Sequence, residues 1–166
     1  MESRASAGVP DGYHTVTPWI IARGAGELID FLKEAFGAEE LARIYVAESF
    51  IGHAEVRIGD SVIMLFDAKP DWPDTPSFIR LFVADADALV ERALRAGATL
   101  VTPVAEHSFG DRIGRVRDPK GNVWWIQTHV RDVPFERIMN PSPAEQKAMH
   151  DAQTTLDQEL SARAGK

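Results

Sequence analysis

A hairpin pattern occurs twice in this chain, and the repetition constrains the fold more than any other feature. The first copy, GHAEVRIGDSVIMLFD, spans residues 52–67, and a richer copy, SFGDRIGRVRDPKGNVWWIQTHV, spans residues 108–130. Aligning VIML at Val62 with VWWI at Val123 gives an offset of 61 residues. Two copies are too few for a stacked repeat array, so we expect a pair of half-sheets related by a pseudo-twofold axis.

The segments around each hairpin predict the same order of elements, β-α-β-β-β. In both units an apolar strand is followed by a helix with an apolar stripe, which ends at a glycine, and then by three more strands. Asp85 is placed to cap the second helix. The predicted strands and helices before the hairpins are 13–23, 26–36 and 40–47 in the first unit, and 77–83, 86–96 and 98–101 in the second.

These patterns predict an α+β fold in which two βαβββ modules form a curved mixed sheet with a ligand cavity, followed by a C-terminal helix. The first module covers residues 13–67 and the second covers residues 77–130. A segment rich in proline and aspartate, residues 68–76, is expected to be a linker, since such residues favour turns. Residues 1–12 lack an apolar pattern and are expected to form a flexible arm.

The C-terminal extension, residues 131–166, carries a helix signal of its own. Ser142-Pro143-Ala144-Glu145 matches a capping box with proline at the first helical position. The helix that follows has one narrow apolar stripe, formed by Met149, Ala152, Leu156 and Leu160. Because so thin a stripe does not stabilise a free helix, we expect the helix to dock on its own chain or on a partner chain.

Composition excludes several classes of function. The chain has 166 residues, 45% of them hydrophobic, which is enough for a buried core without disulfides. It has no cysteine, which removes thiolate metal sites and cysteine nucleophiles and suits a cytoplasmic protein. A net charge of −7 disfavours binding to nucleic acids. No segment is long and apolar enough to predict a membrane span.

Strand pairing predicts which side chains share a face with the predicted cavity. A two-residue loop at Gly59-Asp60 places His53, Glu55 and Arg57 opposite Phe66, Met64 and Val62, on the side away from the helix. A turn centred on Pro119-Lys120 pairs Val116 with Val123, Gly114 with Trp125 and Arg112 with Gln127. On this register Gly114 leaves room for the indole of Trp125.

The doubled module and the phrases GHAEVRIGDSVIMLFD and FGDRIGRVRDPKGNVWWIQTH resemble the vicinal oxygen chelate superfamily, in its glyoxalase/bleomycin resistance branch and among its PhnB-like members. The resemblance covers residues 15–130. It implies a fold in which each of four cavity-facing strands carries one metal ligand in the metal-dependent members. The positions that match those ligands are Thr17, Met64, Phe78 and Trp125.

None of these four residues is a good ligand for a hard metal ion, because such sites need carboxylates or imidazoles. The resemblance therefore favours the bleomycin-resistance type, in which an aromatic and polar groove holds a flat, often cationic drug without a metal or cofactor. A shifted register would leave a metal site open at His53 with Glu55, or at His129 with Gln127.

The resemblance implies a homodimer with shared cavities and a set of ligand contacts, with aromatic side chains stacking on the ligand and Glu55 facing its positive charge. Phe82 is interpreted more readily as core, and Trp72 in the linker as a plug or a lid. The predicted ligand-binding residues are Trp19, His53, Glu55, Arg57, Met64, Phe66, Phe78, Arg112, Trp125 and Gln127.

An enzyme on the same scaffold remains an alternative. It would be a metal-dependent lyase or dioxygenase, or a metal-free isomerase or cyclase of a secondary metabolite. For the metal-free case, Glu55 on an apolar wall is the expected acid or base, with a raised pKa and His53 nearby. The sequence predicts no catalytic residue beyond this pair.

Overall fold

Two four-stranded mixed sheets, each with a helix on one face, confirm the predicted α+β fold. The computed structural model describes residues 8–163, and the chain divides into two units between Ser77 and Phe78. The strand orders are β1-β4-β3-β2 and β5-β8-β7-β6. Residues 1–7 of the predicted arm lie outside the described residues, and residues 8–12 form turns.

The first unit follows the predicted β-α-β-β-β order. Its first strand is shorter than expected because Pro18 has no N–H to donate; the Pro18 carbonyl instead accepts a hydrogen bond from the Met64 amide at 3.0 Å. The elements are β1 (Trp19–Ala22), α1 (Ala25–Phe36), β2 (Glu39–Ala47), β3 (Phe50–Ile58) and β4 (Ser61–Asp67).

The core of the first unit lies between α1 and the sheet. Ile20, Ala54, Val56 and Leu65 alternate with more exposed residues along their strands and are fully buried. The amino end of α1 has no cap from its own sequence, and Asp67 supplies one from β4. Its carboxylate accepts hydrogen bonds from the amides of Gly24, Ala25 and Ile51 at 3.1, 2.7 and 2.7 Å. One side chain thus fixes both the helix and the adjacent strand.

The second unit repeats this order and adds two helices. Asp85 caps α2 as predicted, accepting from the Ala88 amide at 3.0 Å, and Trp124 is fully buried. The strand after α2 is longer than predicted, and the one-turn helix α3 was not predicted. The elements are β5 (Phe78–Phe82), α2 (Ala86–Arg95), β6 (Thr99–Glu106), β7 (Asp111–Arg117), β8 (Val123–His129), α3 (Phe135–Ile138) and α4 (Pro143–Ser161).

The predicted register of the first hairpin is confirmed. Ile58 pairs with Ser61 across the two-residue loop, and Glu55 pairs with Met64. Trp19 in β1 is also aligned with Met64, so its side chain shares a face with Glu55. This face lies opposite α1.

The predicted register of the second hairpin is wrong by one residue. Arg117 pairs with Val123 and encloses a five-residue loop, in which Gly121 has a φ of 92°. Arg115, not Gly114, therefore lies opposite Trp125, and Arg112 pairs with Thr128 rather than Gln127. A shift of one residue moves every side chain of one strand to the other face.

Gly114 therefore lies on the face of the sheet that packs against α2. A Cβ atom at this position would lie 2.7 Å from Cγ2 of Val104 and 3.2 Å from Cγ2 of Val90 in α2. We expect Gly114→Ala to lower the free energy of unfolding by about 1–3 kcal/mol, because the added methyl group overpacks this contact. Urea denaturation measures the change. A neutral effect would show that β6 and α2 can shift apart at this point.

The C-terminal helix begins at the predicted capping box and docks on its own unit. Ser142 accepts from the Glu145 amide, and the Glu145 carboxylate accepts from the Ser142 amide. Hydrogen bonds from Arg137 and Ser142 lower the pKa of Glu145 to about 2. From the predicted stripe, Ala152 and Leu156 are buried, whereas Met149 and Leu160 remain exposed.

The α4 helix packs across the sheet face opposite α2. Arg115 Nη1 donates to the carbonyl of Ala152 at 2.7 Å, and the hydroxyls of Thr102 and Thr155 are 2.7 Å apart. Arg117 Nη1 lies 3.0 Å from the Glu159 carboxylate. Part of the face predicted to meet a ligand in this unit is thus covered by the chain's own helix.

Candidate functional site

Aromatic side chains cluster on the face of the first unit opposite α1. The ring centroids of Trp19 and Phe66 are 5.4 Å apart and those of Phe66 and Trp72 are 5.9 Å apart, both in edge-to-face geometry. Trp19 also meets the His53 ring at 6.2 Å. We call the set formed by Trp19, His53, Glu55, Phe66 and Trp72 the aromatic face.

Glu55 links two polar side chains on the aromatic face. Its carboxylate accepts a hydrogen bond from the Tyr13 hydroxyl and lies 2.8 Å from His53 Nε2. The bonds from Tyr13 and then His53 lower the pKa of Glu55, in spite of its burial. The hydrogen bond to Glu55 raises the pKa of Tyr13. Glu55 is therefore held as a carboxylate, which corrects the expectation of a raised pKa.

The other two predicted contacts of the first unit lie near this cluster but differ in their environment. Met64 is half-buried between β1 and β3, where it is aligned with both Trp19 and Glu55. Arg57 is ion-paired with Glu39 of β2 at 3.1 Å. Its charge is partly neutralised by that pair. The ammonium of Lys69 lies 5.3 Å from the centroid of a Trp72 ring, so a cation and the Glu55 carboxylate both lie beside the aromatic rings.

Two arginines contact one indole in the second unit, on the face opposite α2. The guanidinium carbons of Arg80 and Arg115 lie 4.3 and 3.9 Å from the centroid of a Trp125 ring. Phe78 meets Trp125 edge-to-face at 6.3 Å. We call Arg80, His107, Arg115, Trp125 and Gln127 the arginine face.

The remaining predicted residues of the second unit divide between its two faces. Gln127 lies on the arginine face, is buried, and donates from Nε2 to Asp111. Arg112 lies on the α2 face, where it bonds both carboxylate oxygens of Asp87 at 2.8 and 2.7 Å. Phe82, expected in the core, is 67% exposed. Arg112 is thus separated from the other predicted contacts by the sheet itself.

Several buried polar atoms on the arginine face have no hydrogen-bond partner within residues 8–163. They are Nδ1 and Nε2 of His107, Nε of Arg115, Nε1 of Trp125 and Oε1 of Gln127. Burial, and then the charge of Arg115, lower the pKa of His107, so its ring is held neutral. Buried polar groups in folded proteins are normally bonded, so this cluster requires an explanation.

The residues at the predicted metal positions do not fit a metal ion. Thr17 donates its hydroxyl proton to the His14 carbonyl at 3.2 Å, and the other three positions hold Met64, Phe78 and Trp125. Among residues 8–163 no three His, Asp or Glu side chains converge in a way that would hold an ion. We therefore derive no chemical step through a metal.

The sequence left two alternative metal sites open, and their residues already bond to other side chains of this protein. Glu55 is bonded to Tyr13 and His53, as described above. His129 Nδ1 lies 2.6 Å from Asp111 and its Nε2 lies 3.1 Å from Asp132. These two carboxylates raise the pKa of His129, which favours the charged imidazolium, a form that has no lone pair for a metal.

A surface cleft of about 440 Å³ lies beside the start of α1, away from the aromatic face of the same unit. It is lined by Gly26, Glu27, Tyr45, Ser49 and Asp67 among others. The Asp67 carboxylate is already bonded to three backbone amides. The convergent polar and aromatic groups that mark a binding site are on the other side of the sheet.

Sequence reasoning missed four residues of these faces. Tyr13 was assigned to a strand without a partner, and its bond to Glu55 joins positions 42 residues apart. Arg115 was not predicted because of the register error, and Arg80 because strand alternation alone does not show that it meets Trp125. No sequence pattern indicates His107 as a ligand contact. The basic residues flanking aromatic positions in FIRLF and GRVR were the available signal.

Two mycobacterial proteins are similar to this chain in sequence. An uncharacterized protein of Mycobacterium bovis, Mb0911c, is 37% identical over 134 residues, which cover 74% of this chain and 88% of that protein. The corresponding Mycobacterium tuberculosis protein, Rv0887c, has the same identity over 79% of its length. No helix within residues 8–163 has the length and apolar character needed to cross a membrane.

Solved structures share the fold at lower sequence identity. TioX from Micromonospora sp. ML1 has a TM-score of 0.61 and 24% identity, covering 70% of this chain and 99% of TioX. The fosfomycin resistance protein FosX from Mesorhizobium loti has a TM-score of 0.54 and 18% identity, covering 75% and 97%. The sequence model of the Glyoxalase/Bleomycin resistance protein/Dioxygenase superfamily matches residues 13–126, and the chain belongs to this superfamily.

Proposed function

We propose that this protein binds a flat aromatic small molecule without a metal, and that it acts in antibiotic sequestration or resistance. The observation that carries the proposal is the aromatic face, where Trp19, Phe66 and Trp72 contact one another edge to face and Trp19 meets the His53 ring, which is bonded to an ionised Glu55. The ligand class includes cationic drugs and metabolites. The predicted contacts of the second unit, Phe78, Trp125 and Gln127, belong to the same proposal.

The chemistry of the aromatic face suits such a ligand. Trp19 is half-exposed although it is large and apolar, so its ring is available for stacking. A cation near this ring gains from both the π-system and the Glu55 carboxylate, which is only partly accessible to water. Because His53 and Tyr13 hold Glu55 in place, the site requires little ordering when it binds.

Two further features support the proposal. Its fold neighbours include two FosX fosfomycin resistance proteins, from Mesorhizobium loti and Listeria monocytogenes. Large apolar side chains on β2 and β5, including Ile44, Val46 and Phe82, are exposed. Such exposure suits the homodimer with shared cavities that the resemblance implies, and we include that dimer in the proposal.

The proposal is tested by comparing the affinity for 9-aminoacridinium, a flat aromatic cation, with that for neutral acridine at mildly alkaline pH. We expect Trp19→Ala to weaken both ligands, and Glu55→Gln to weaken the cation by about tenfold while sparing acridine, since one lost charge contact corresponds to about 1.4 kcal/mol. Tryptophan fluorescence quenching measures both affinities.

Glu48→Gln provides the matched control, since it makes the same change at an exposed position in the turn after β2. It should bind both ligands as the natural protein does. If Glu55→Gln and Glu48→Gln reduce the affinity for the cation equally, the effect is general charge and the proposed site is wrong.

The Tyr13-Glu55-His53 chain favours one second candidate, a metal-free enzyme that uses acid-base catalysis. A carboxylate bonded to one imidazole nitrogen orients the ring, so His53 would move the proton while Glu55 positions it. Mass analysis of ligand recovered after incubation with the protein separates the two candidates. Unchanged ligand supports binding alone, and altered ligand supports the enzyme.

A further inference from the structure

The arginine face of the second unit has positive charge and hydrogen-bond donors that meet no opposite charge among the described residues of that unit, 78–163. We infer that it is a binding site for the anionic group of an aromatic ligand, a carboxylate, sulfonate or phosphonate held by Arg80 and Arg115 beside Trp125. The inference rests on the proposed function, because it takes Trp125 and Gln127 as ligand contacts. It adds that the part of the ligand at these residues is negatively charged.

The first argument concerns Arg115, which is only 2% exposed. Its Nη1 donates to two neutral acceptors, the Thr102 hydroxyl at 3.1 Å and the Ala152 carbonyl at 2.7 Å. Buried charges are costly unless they meet an opposite charge. Within residues 8–163 no carboxylate forms an ion pair with Arg115 or with Arg80, so their two charges share one indole without a counter-charge.

Two carboxylates on this side of the sheet are already paired with other cations. Asp111 is paired with His129 at 2.6 Å and accepts from Gln127. Glu159 of α4 is paired with Arg117 at 3.0 Å and with Arg163 at 2.7 Å. Neither is free to neutralise Arg115, which leaves the role of counter-charge to a ligand.

The second argument is the balance of donors and acceptors among the buried atoms without partners. Arg115 Nε and Trp125 Nε1 are donors, and a neutral His107 supplies one donor and one acceptor. Gln127 adds an acceptor, since its amide nitrogen already donates to Asp111. Three donors beside two cations match the oxygens of an anion, and Arg fits such groups through parallel N–H bonds.

The third argument is access from β5, the outer strand in this sheet's order. Arg80 is exposed, and Phe78 and Phe82 flank it along the same face of the strand. A ligand can rest its aromatic body on these rings while its anionic group pairs with Arg80, and displacement of the exposed Arg80 side chain from the Trp125 ring would open the buried Nε edge of Arg115 to it. The Nη1 contact between Arg115 and α4 stays intact in this arrangement.

Three probes with one ring system test the inference: naphthalene-2-sulfonate, neutral naphthalene-2-carboxamide and cationic 2-naphthylmethylammonium. Isothermal titration of the full chain should show binding of the sulfonate, at least tenfold tighter than the carboxamide and weakening with salt. Arg80→Gln should lower the affinity for the sulfonate at least tenfold. Arg95→Gln, an equal change at an exposed residue of α2, should leave it unchanged.

Arg115→Lys gives a second variant that keeps the charge and removes the Nε–H donor, and it should also weaken the sulfonate. Absence of sulfonate binding, or equal binding by the natural protein and Arg80→Gln, overturns the inference. Binding of 9-aminoacridinium at Glu55 with no response to the sulfonate overturns this inference alone. Sulfonate binding that depends on Arg80, without 9-aminoacridinium binding, supports it and refutes the cation site.

Discussion

Asp118→Ala is expected to destabilise the protein by at least about 3 kcal/mol, because it leaves several buried donors without an acceptor. The side chain is 2% exposed. One carboxylate oxygen accepts from the amides of Lys120 and Asn122 at 2.8 and 3.0 Å, and the other accepts from Asn122 Nδ2 and Trp124 Nε1, both at 2.8 Å. Urea denaturation followed by circular dichroism measures the loss.

Asp118→Asn refines this test. An amide presents an N–H₂ group to one pair of these donors, so the asparagine variant should also be destabilised although its volume is unchanged. Asp60→Ala, in the exposed turn of the first hairpin, should change stability by no more than about 0.5 kcal/mol. If Asp118→Ala matched Asp60→Ala, the carboxylate would have no structural role in the hairpin.

The same carboxylate explains why one hairpin register was predicted correctly and the other was not. At Gly59-Asp60 the loop contains two residues, and its geometry follows from local sequence. In the second hairpin the Asp118 carboxylate accepts hydrogen bonds from the loop amides of Lys120 and Asn122 and from the indole of Trp124 in the next strand. The resulting five-residue loop, with Gly121 at positive φ, depends on a buried side chain that strand alternation does not reveal.

The order of elements was predictable because it depends on local patterns. Gly37 ends α1 in the left-handed region at a φ of 68°, Asp85 caps α2, and Ser142 caps α4, each within four residues of its partner. Part of the aromatic face was predictable for a similar reason, since correct pairing of β3 with β4 placed His53, Glu55 and Phe66 together.

Contacts between distant segments were not predictable in this way. The bonds from Tyr13 to Glu55 and from Arg115 to Ala152 join residues far apart in sequence, and no periodic pattern encodes them. Residues of the DPKGN turn carry the resemblance to the superfamily, yet their side chains build the hairpin rather than contact either candidate face. The motif therefore identifies the fold, and we propose Glu55 in one unit and Arg115 in the other as the source of the ligand chemistry.

Truncation after Pro141 is expected to lower the free energy of unfolding of the second unit by roughly 3 kcal/mol. The change removes α4 and so exposes the apolar surface that Ala152 and Leu156 cover, at about 25 cal/mol per Å². It also removes the Ala152 carbonyl from Arg115 and the Glu159 carboxylate from Arg117. Differential scanning calorimetry of the full and the truncated protein measures the shift in Tm.

A matched pair of single changes on α4 separates docking from the general loss of a helix. Leu156 is 9% exposed and Leu160 is 44% exposed, and they lie one turn apart. Leu156→Ala should cost about 2 kcal/mol or more, and Leu160→Ala clearly less, because only the first opens space against the sheet. Equal effects, together with an unchanged Tm for the truncated chain, would show that α4 does not hold this position in solution. In that case Arg115 would lie open to water, and the need for a ligand to neutralise it would disappear.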